Sequence, residues 1–280
     1  MITPTEESKS LSSILGKTVY LKREDLHFLR SHKGRSIPIM IDTKVAQGFH
    51  SFVISSSGNA ALAAGLYISQ NHPGTKLTIL VGEKIPDEKL QPLLELVGEK
   101  ITVSKVARPL MELTLLEKKG CVSLRQSTDD TALLGYFDLA REILNQTPDV
   151  SDVFIATSSG TTAVALHAQF CELGRDVKIH IVQTPACHPF IESPETGISI
   201  AGAIVDKVGH RREVVLKTIT ESKGSGIIAT DEYIRKAQKV LESDGITTTA
   251  NGALSIAGFL SYIENGNIIT KKAVCIIGGK

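Results

Sequence analysis

The sequence predicts an α/β protein made of two doubly wound, mostly parallel, three-layer α/β domains, and three observations carry that prediction. Short runs rich in β-branched residues recur along the chain, most of them continuously apolar rather than alternating, as strands buried on both faces must be. Stretches with helical spacing of apolar residues separate those runs, which is the pattern of successive βαβ units. The chain has 280 residues and 42% hydrophobic content, enough for one large core or two modest ones.

Each element has its own signal. A strand is expected at 18–21, followed by a helix. Inside that helix Pro38 would cost about 3 kcal/mol, so Ser36 is expected as the cap with Pro38 in the first turn, leaving Lys33 on the preceding loop. Strands at 51–54, 77–81 and 101–103 then alternate with helices at 60–70, 87–96 and 109–118. Pro109 suits a first helical position, where its missing N–H costs nothing. A helix at 132–144 precedes a strand at 153–155, a helix at 162–173 and a strand at 178–182. Gly174 follows the last periodic residue as a helix stop should. Asp231 is expected to cap a helix at 231–241, and a strand is expected at 273–277. The polar stretch Gln146-Thr147-Pro148-Asp149 reads as a crossing between domains. Residues 48–145 are therefore expected to form the smaller domain, and 1–47 with 146–280 the larger. Ligand sites in such folds lie in crevices at the carboxyl ends of strands.

Charge and cysteine usage narrow the function classes. Thirty-one Lys and Arg against 30 Asp and Glu give a net charge of +1, so no overall field favours nucleic acid or an anionic membrane. Small-molecule chemistry becomes the default. Cys121, Cys171, Cys187 and Cys275 are far apart, show no paired metal spacing and mostly lie in apolar segments, which suits a reducing compartment and no metal site. The amino terminus has neither a basic start nor an apolar run, and no stretch is long enough to span a bilayer, so a cytoplasmic protein is expected.

Three loops carry candidate chemistry. Lys33 sits in Ser31-His32-Lys33-Gly34-Arg35; a partly buried lysine can lose its proton and form a Schiff base with a carbonyl, a use arginine cannot replace. Ser55-Ser56-Ser57-Gly58-Asn59 opens a helix and offers backbone N–H groups and an amide to an anion. Ala156-Thr157-Ser158-Ser159-Gly160-Thr161-Thr162 also leads from a strand into a helix, with small residues and hydroxyls suited to a phosphate. It lacks the Gly-Lys-Ser/Thr of nucleotide phosphate loops, and the dinucleotide glycine fingerprint is absent as well. Taken singly, Lys33 reads as one of many surface lysines, and this last loop is equally a well-capped helix. Together they supply the parts needed to hold pyridoxal phosphate.

The segment Leu21-Lys22-Arg23-Glu24-Asp25-Leu26 followed by Ser31-His32-Lys33-Gly34-Arg35 resembles the lysine motif of the tryptophan synthase β-like, fold type II family of pyridoxal-phosphate enzymes, which contains threonine synthase and the serine/threonine dehydratases. Ser56-Ser57-Gly58-Asn59-Ala60-Ala61-Leu62 resembles the threonine synthase form of the asparagine loop. Gly135-Tyr136-Phe137-Asp138-Leu139-Ala140-Arg141-Glu142-Ile143 is similar to the family's Gly-Tyr-x-Thr-x-Ala-x-Glu-Ile helix. The order is kept through Gly202, the stretch from Ser225-Gly226 to Asp231-Glu232, Gly245-Ile246 and Gly278-Gly279, so most of the chain is covered.

The resemblance implies two domains with pyridoxal 5'-phosphate in the cleft between them, the larger domain being the cofactor-binding one. Lys33 would bond to the cofactor and shuttle protons at the substrate Cα. Asn59 would hydrogen-bond the phenolic oxygen, backbone amides around Ser56, Ser57 and Gly58 would hold the substrate carboxylate, and Ser158, Ser159, Gly160, Thr161 and Thr162 would carry the phosphate. Ile277 and Gly278 would lie against the ring. The activity implied is a lyase acting on a small amino acid by Cα deprotonation and β- or γ-elimination or replacement, in a homodimer with no nucleic-acid or membrane partner.

Several positions depart from the family pattern. Gly34 replaces an acidic or bulky residue and is expected to loosen the backbone. Ser158-Ser159 stand where glycines are common and restrict φ. Ile277 stands where relatives place Ser, Thr or Cys beside the pyridine nitrogen, and an apolar side chain cannot donate to it. Asp138 replaces a threonine and is expected to alter a cleft wall. The chain stops at Lys280, short for the family, so a C-terminal regulatory domain is not expected. These changes keep a second reading open, a degenerate pyridoxal-phosphate-binding protein with little or no turnover; a plain nucleotide-binding protein is a third. His27 and His32 are expected as exposed loop histidines, and Cys187-His188 and His210-Arg211-Arg212 as loop clusters without metal spacing.

Overall fold

The computed structural model describes residues 1–279. In chain order the elements are β1 (Thr5–Glu7), α1 (Lys9–Leu15), β2 (Val19–Arg23), α2 (Lys33–Ala46), β3 (Ser51–Ser55), α3 (Asn59–Asn71), β4 (Lys76–Gly82) and α4 (Asp87–Leu94). They continue with β5 (Ile101–Val106), α5 (Pro109–Lys118), β6 (Val122–Ser123), α6 (Thr131–Leu134), α7 (Phe137–Gln146), β7 (Val150–Ala156) and α8 (Thr161–Glu172). The last are β8 (Lys178–Gln183), α9 (Arg212–Glu221), β9 (Ser225–Ile228), α10 (Asp231–Ser243), α11 (Ala250–Glu264) and β10 (Lys272–Ile277).

The chain divides into two compact units, Phe28–Gly135 and Met1–His27 with Tyr136–Lys280. The first holds a four-stranded sheet in the order β5-β4-β3-β6, all parallel. Ile37, Met40 and Ile41 of α2, the alanines of α3 and Leu90 and Leu93 of α4 share one core with Phe52, Ile54, Leu77 and Ile79. Val53 and Leu80, which point the other way by the pleat, meet Leu113 of α5. The unit is thus three layers deep.

The second unit holds a six-stranded sheet in the order β1-β2-β10-β7-β8-β9. It is parallel except for β1, which pairs antiparallel with β2 at one edge. Phe154 of β7 joins a core with α10 and α11, stacking edge-on against Phe259. Its neighbours Val153 and Ile155 are just as buried. A second helical layer therefore covers the opposite face, where α8 packs on α7, α9 and β8.

These boundaries differ from the expected 48–145 and 1–47 plus 146–280. Helix α2 packs on α3 and α6 and so belongs with the smaller unit, while α7 packs on α8 and belongs with the larger. The helix expected at 132–144 is two helices broken at Gly135-Tyr136. At the break a Cβ on Gly135 would collide with the carbonyl oxygen of Arg35 and come within 2.5 Å of Ser36 Cα, so only glycine allows the contact. Asp231 is the first residue of α10 rather than its cap. The cap position is Thr230, and the Asp231 carboxylate instead accepts from Ser199 Oγ and the Ile200 amide, both at 3.0 Å.

Candidate functional site

In both sheets the strand order reverses at one strand; the loops before α3 and α8 follow those strands, whereas the Lys33 segment follows β2. In the smaller unit β3, β4 and β5 run outward in sequence and β6 returns to the other side of β3. In the larger unit β7, β8 and β9 run outward and β10 lies on the other side of β7. The loops after β3 and β7 therefore leave at the topological switch points, where parallel sheets open a crevice.

In the smaller unit, Lys33 is the first residue of α2 and half-buried, with Ser31, Gly34, Arg35 and Ser36 buried around it. The helix starts earlier than Pro38 led us to expect. A turn formed by Gly34 N to Ser31 O (3.0 Å) and Arg35 N to His32 O (3.1 Å) winds the chain before Lys33, so His32 and not Ser36 is the cap residue. Pro38 lies inside the helix and cannot bond the carbonyl of Gly34. Burial of Ile37, Met40 and Ile41, each contributing about 1.5–3 kcal/mol, offsets that loss. The Lys33 amide donates to Ser31 Oγ at 3.3 Å, and Arg30 just upstream takes a left-handed conformation with φ of 65°. Gly34, expected to loosen this segment, is a buried helical residue.

Asn59 is the first residue of α3, after Gly58. The first helical bond is Leu62 N to Gly58 O at 3.2 Å, so the amides of Asn59, Ala60 and Ala61 lie ahead of it and point out of the helix end. The Ser56 hydroxyl accepts from Gly58 N at 3.3 Å. Only the residues 47–50 join α2 to β3, so α2 runs antiparallel to β3, as does α3. Lys33 and Asn59 consequently open their helices at the same end of the sheet.

In the larger unit the loop after β7 is tightly cross-linked. Gly160 has φ of 78°, and its N–H donates to Thr157 Oγ1 at 2.8 Å. A Cβ there would collide with Val215 of α9. Ser158 Oγ accepts from the amides of Val205 (3.1 Å) and Asp206 (3.0 Å), and Ser159 Oγ lies 2.9 Å from Thr161 Oγ1. Neither serine has positive φ, so the serines that replace the usual glycines bring no backbone strain. The first helical bond of α8 is Val164 N to Gly160 O at 3.0 Å, which leaves the amides of Thr162 and Ala163 facing outward. The side chain of Ile277 is fully buried in the core, and Gly278 follows it.

Other motif residues serve the framework. Lys22, fully buried, donates to Glu142 Oε2 (2.7 Å), Thr3 O (2.7 Å) and Gln146 Oε1 (2.8 Å). Arg23 grips Asp25 through two bonds of 3.0 and 2.9 Å, and that pairing raises its pKa further. Asp138 pairs with Arg141 at 3.0 Å on the exposed face of α7. His27 is buried and His32 half-buried, so neither is the exposed histidine expected. His188 Nδ1 faces Thr184 O at 3.2 Å, Arg211 is buried, and Arg212 binds Pro189 O and Glu192. Burial pushes the Cys187 and Cys275 thiols up, as packing residues require, whereas Cys171 is exposed. Sequence reasoning missed four buried hydroxyls without partners, Ser123 Oγ, Thr147 Oγ1, Thr184 Oγ1 and Thr248 Oγ1.

Residues 2–279 match the model of the family described as pyridoxal-phosphate dependent enzyme. The chain belongs to that family. It is similar to the L-threonine dehydratase biosynthetic IlvA of Pasteurella multocida, 24% identical over 99% of this chain and 56% of that protein. The corresponding protein of Mycobacterium bovis is 26% identical, over 99% of this chain and 67% of its own length. The chain thus spans little more than half the length of the first of these relatives. Among solved structures, the processed form of threonine deaminase isoform 2 from Solanum lycopersicum superposes with a TM-score of 0.85 at 22% identity, covering 100% of this chain and 84% of that one. Maize serine racemase gives 0.85 at 20% identity, covering 100% and 88%. The fold is therefore that of fold type II pyridoxal-phosphate enzymes.

The residues present fit pyridoxal phosphate. The left-handed Gly160 and the outward amides of Thr162 and Ala163 suit a phosphate at the amino end of a helix. Within the smaller unit, the half-buried Lys33 carries an amine of the kind that such a cofactor needs. Among the described residues, no group of three or more His, Cys, Asp or Glu could hold a metal ion, and no helix is long and apolar enough to cross a membrane.

Proposed function

We propose that this chain is a pyridoxal-phosphate-dependent lyase acting on a small amino acid with a leaving group at Cβ or Cγ. The observation that carries the reading is the half-buried Lys33 opening α2 at the same end of the sheet as Asn59 and the outward amides of α3. Relatives named as threonine dehydratases, together with structures named threonine deaminase, serine racemase and O-ureido-L-serine synthase, support a small substrate functionalised at Cβ.

When bound, pyridoxal phosphate supplies an electron sink for charge developing at the substrate Cα. The chain's own groups do the rest. Lys33 Nζ would hold the cofactor through its amine and would carry the proton to and from the substrate Cα. Asn59 would hydrogen-bond the cofactor's phenolic oxygen. The amides around Ser56, Ser57 and Gly58 take the substrate carboxylate at the positive end of α3, and those of the Ser158 to Thr162 loop take the phosphate at the positive end of α8. A homodimer in the cytoplasm is part of the same reading. Threonine synthase-like chemistry is one specific form of it, dehydratase-like elimination another, and racemisation a third.

The purified protein is expected to be yellow, borohydride is expected to fix a pyridoxyl group on Lys33, and Lys33→Ala is expected to abolish both. A colourless protein that takes up no added cofactor overturns the reading. Assays of serine, threonine and phosphohomoserine for keto-acid or threonine release, and of serine for loss of chirality, separate the three chemistries. The apolar Ile277 favours one second reading, a binder with little turnover; its mark is an absorption band that shifts with amino acids but yields no product.

A further inference from the structure

Gln183 ends β8 and is fully buried, yet both ends of its carboxamide are used. Its Nε2 donates to Thr157 O at 3.3 Å, and its Oε1 accepts from the Phe190 amide at 3.2 Å. The partners fix which end is which, because a carbonyl can only accept and an amide N–H can only donate. A carboxylate in this place could not serve the first partner, and an apolar side chain could serve neither.

Both partners bear on the loop before α8. Thr157 Oγ1 accepts from Gly160 N at 2.8 Å, and Gly160 holds the left-handed conformation from which α8 starts. The ring of Phe190 lies 3.5 Å from where a Cβ on Gly160 would stand. Gln183 therefore reaches Gly160 by two routes, through the Thr157 hydroxyl and through the placing of the Phe190 ring. The chain after Phe190 returns to the same loop: a Cβ on Gly209 would come within 2.8 Å of that ring, and the amides of Val205 and Asp206 donate to Ser158 Oγ at 3.1 and 3.0 Å. Amides that must converge on one anion are aimed only as well as the backbone that carries them, so a buried group that fixes this backbone acts on the anion without touching it.

We propose that Gln183 is a positioning residue for the cofactor phosphate, acting through Thr157 and Phe190 to aim the loop before α8. The inference rests on the cofactor reading given above, and one set of binding measurements separates the two. Affinities for pyridoxal phosphate and for pyridoxal, which lacks the phosphate, are measured by equilibrium dialysis for the wild type, Gln183→Met and Thr157→Val. The wild type is expected to prefer pyridoxal phosphate by roughly a hundredfold, the worth of two hydrogen bonds to a charged group. Gln183→Met has nearly the same shape but pairs with neither Thr157 O nor the Phe190 amide, and it is expected to lower that preference roughly tenfold by weakening pyridoxal phosphate alone. A loss of folded protein would weaken both compounds alike and leave the ratio unchanged. Should the methionine variant fail to fold, Thr157→Val, which removes only the acceptor of the Gly160 amide, is expected to move the ratio in the same direction by a smaller factor. A wild type that binds both compounds equally, or a methionine or valine variant that keeps the wild-type ratio, overturns the positioning role while leaving intact the reading of a pyridoxal-binding lysine. A wild type that binds neither compound overturns both.

Discussion

The two strand-to-helix loops that open α8 and α3 have the same topology and opposite construction. Before α8, Gly160 is buried and left-handed, Val215 occupies the space where a side chain would go, and Thr157, Ser158, Ser159 and Thr161 are bonded within the loop or to residues 205–206. Before α3, Gly58 is exposed, a Cβ on it would meet nothing within 4 Å, and a single serine bond of 3.3 Å crosses the turn. Both present outward helix amides, so both can take an anion. Only the first is fixed in advance. A group that stays through every turnover is best held by a preorganised cradle, since no ordering cost recurs, whereas a substrate that enters and leaves needs open space in front of its amides. On the proposed function, the first construction suits the phosphate and the second the substrate carboxylate.

The sharpest way to break that contrast is Gly160→Ala. Holding alanine in a left-handed conformation costs roughly 1–2 kcal/mol and the forced overpacking against Val215 roughly 1–3 more. The expected result is a loss of several kcal/mol in urea unfolding and a collapse of cofactor affinity; unchanged stability would show that the cradle yields as easily as the other loop. Ser158→Ala is the smaller version. It leaves the amides of the exposed Val205 and half-buried Asp206 to water, for about 0.5–1.5 kcal/mol of stability. If the loop holds the phosphate as proposed, the variant also loses a hydroxyl donor to it, and a charge-assisted bond of that kind predicts roughly tenfold weaker binding of the cofactor in a spectroscopic titration. Weaker folding with unaltered affinity would make Ser158 a brace for residues 205–206 and nothing more.

Much of this architecture was legible in the sequence because burial on both faces writes itself as continuous apolar runs, as in Val153 to Ile155, and because small polar residues between a strand and a helix have few uses. The places where the reading failed share one cause, tertiary contact overriding a local rule. Pro38 argued for a later start to α2, but the turn at Ser31-His32 and the buried Ile37 and Met40 wind the helix from Lys33. Gly135 gave no warning that it breaks a helix, because the reason is the backbone of Arg35 and Ser36, about a hundred residues earlier in the chain. Helix α11 escaped notice because it is apolar nearly all round, as a helix buried against β7, β8 and β10 is, and so lacks a face to detect. Thr248 could not have been singled out from its neighbours Thr247 and Thr249, since an unmet hydroxyl is visible only once everything around it is placed.

The finest test of the contrast is the mildest substitution, Gly58→Ala. The added methyl meets no protein atom, so the only expected penalty to folding is that of alanine at a helix cap, within about 1 kcal/mol. The space it fills, however, is the open ground in front of the α3 amides. If that ground belongs to the substrate carboxylate, KM for the amino acid that is turned over rises severalfold while cofactor affinity and the absorption spectrum stay as in the wild type. Gly160→Ala is expected to do the reverse, so the pair exchanges effects between two measurements on one protein. A Gly58→Ala variant that loses cofactor but keeps its KM would reverse the assignment, making the loose loop the cofactor's and the rigid one the substrate's.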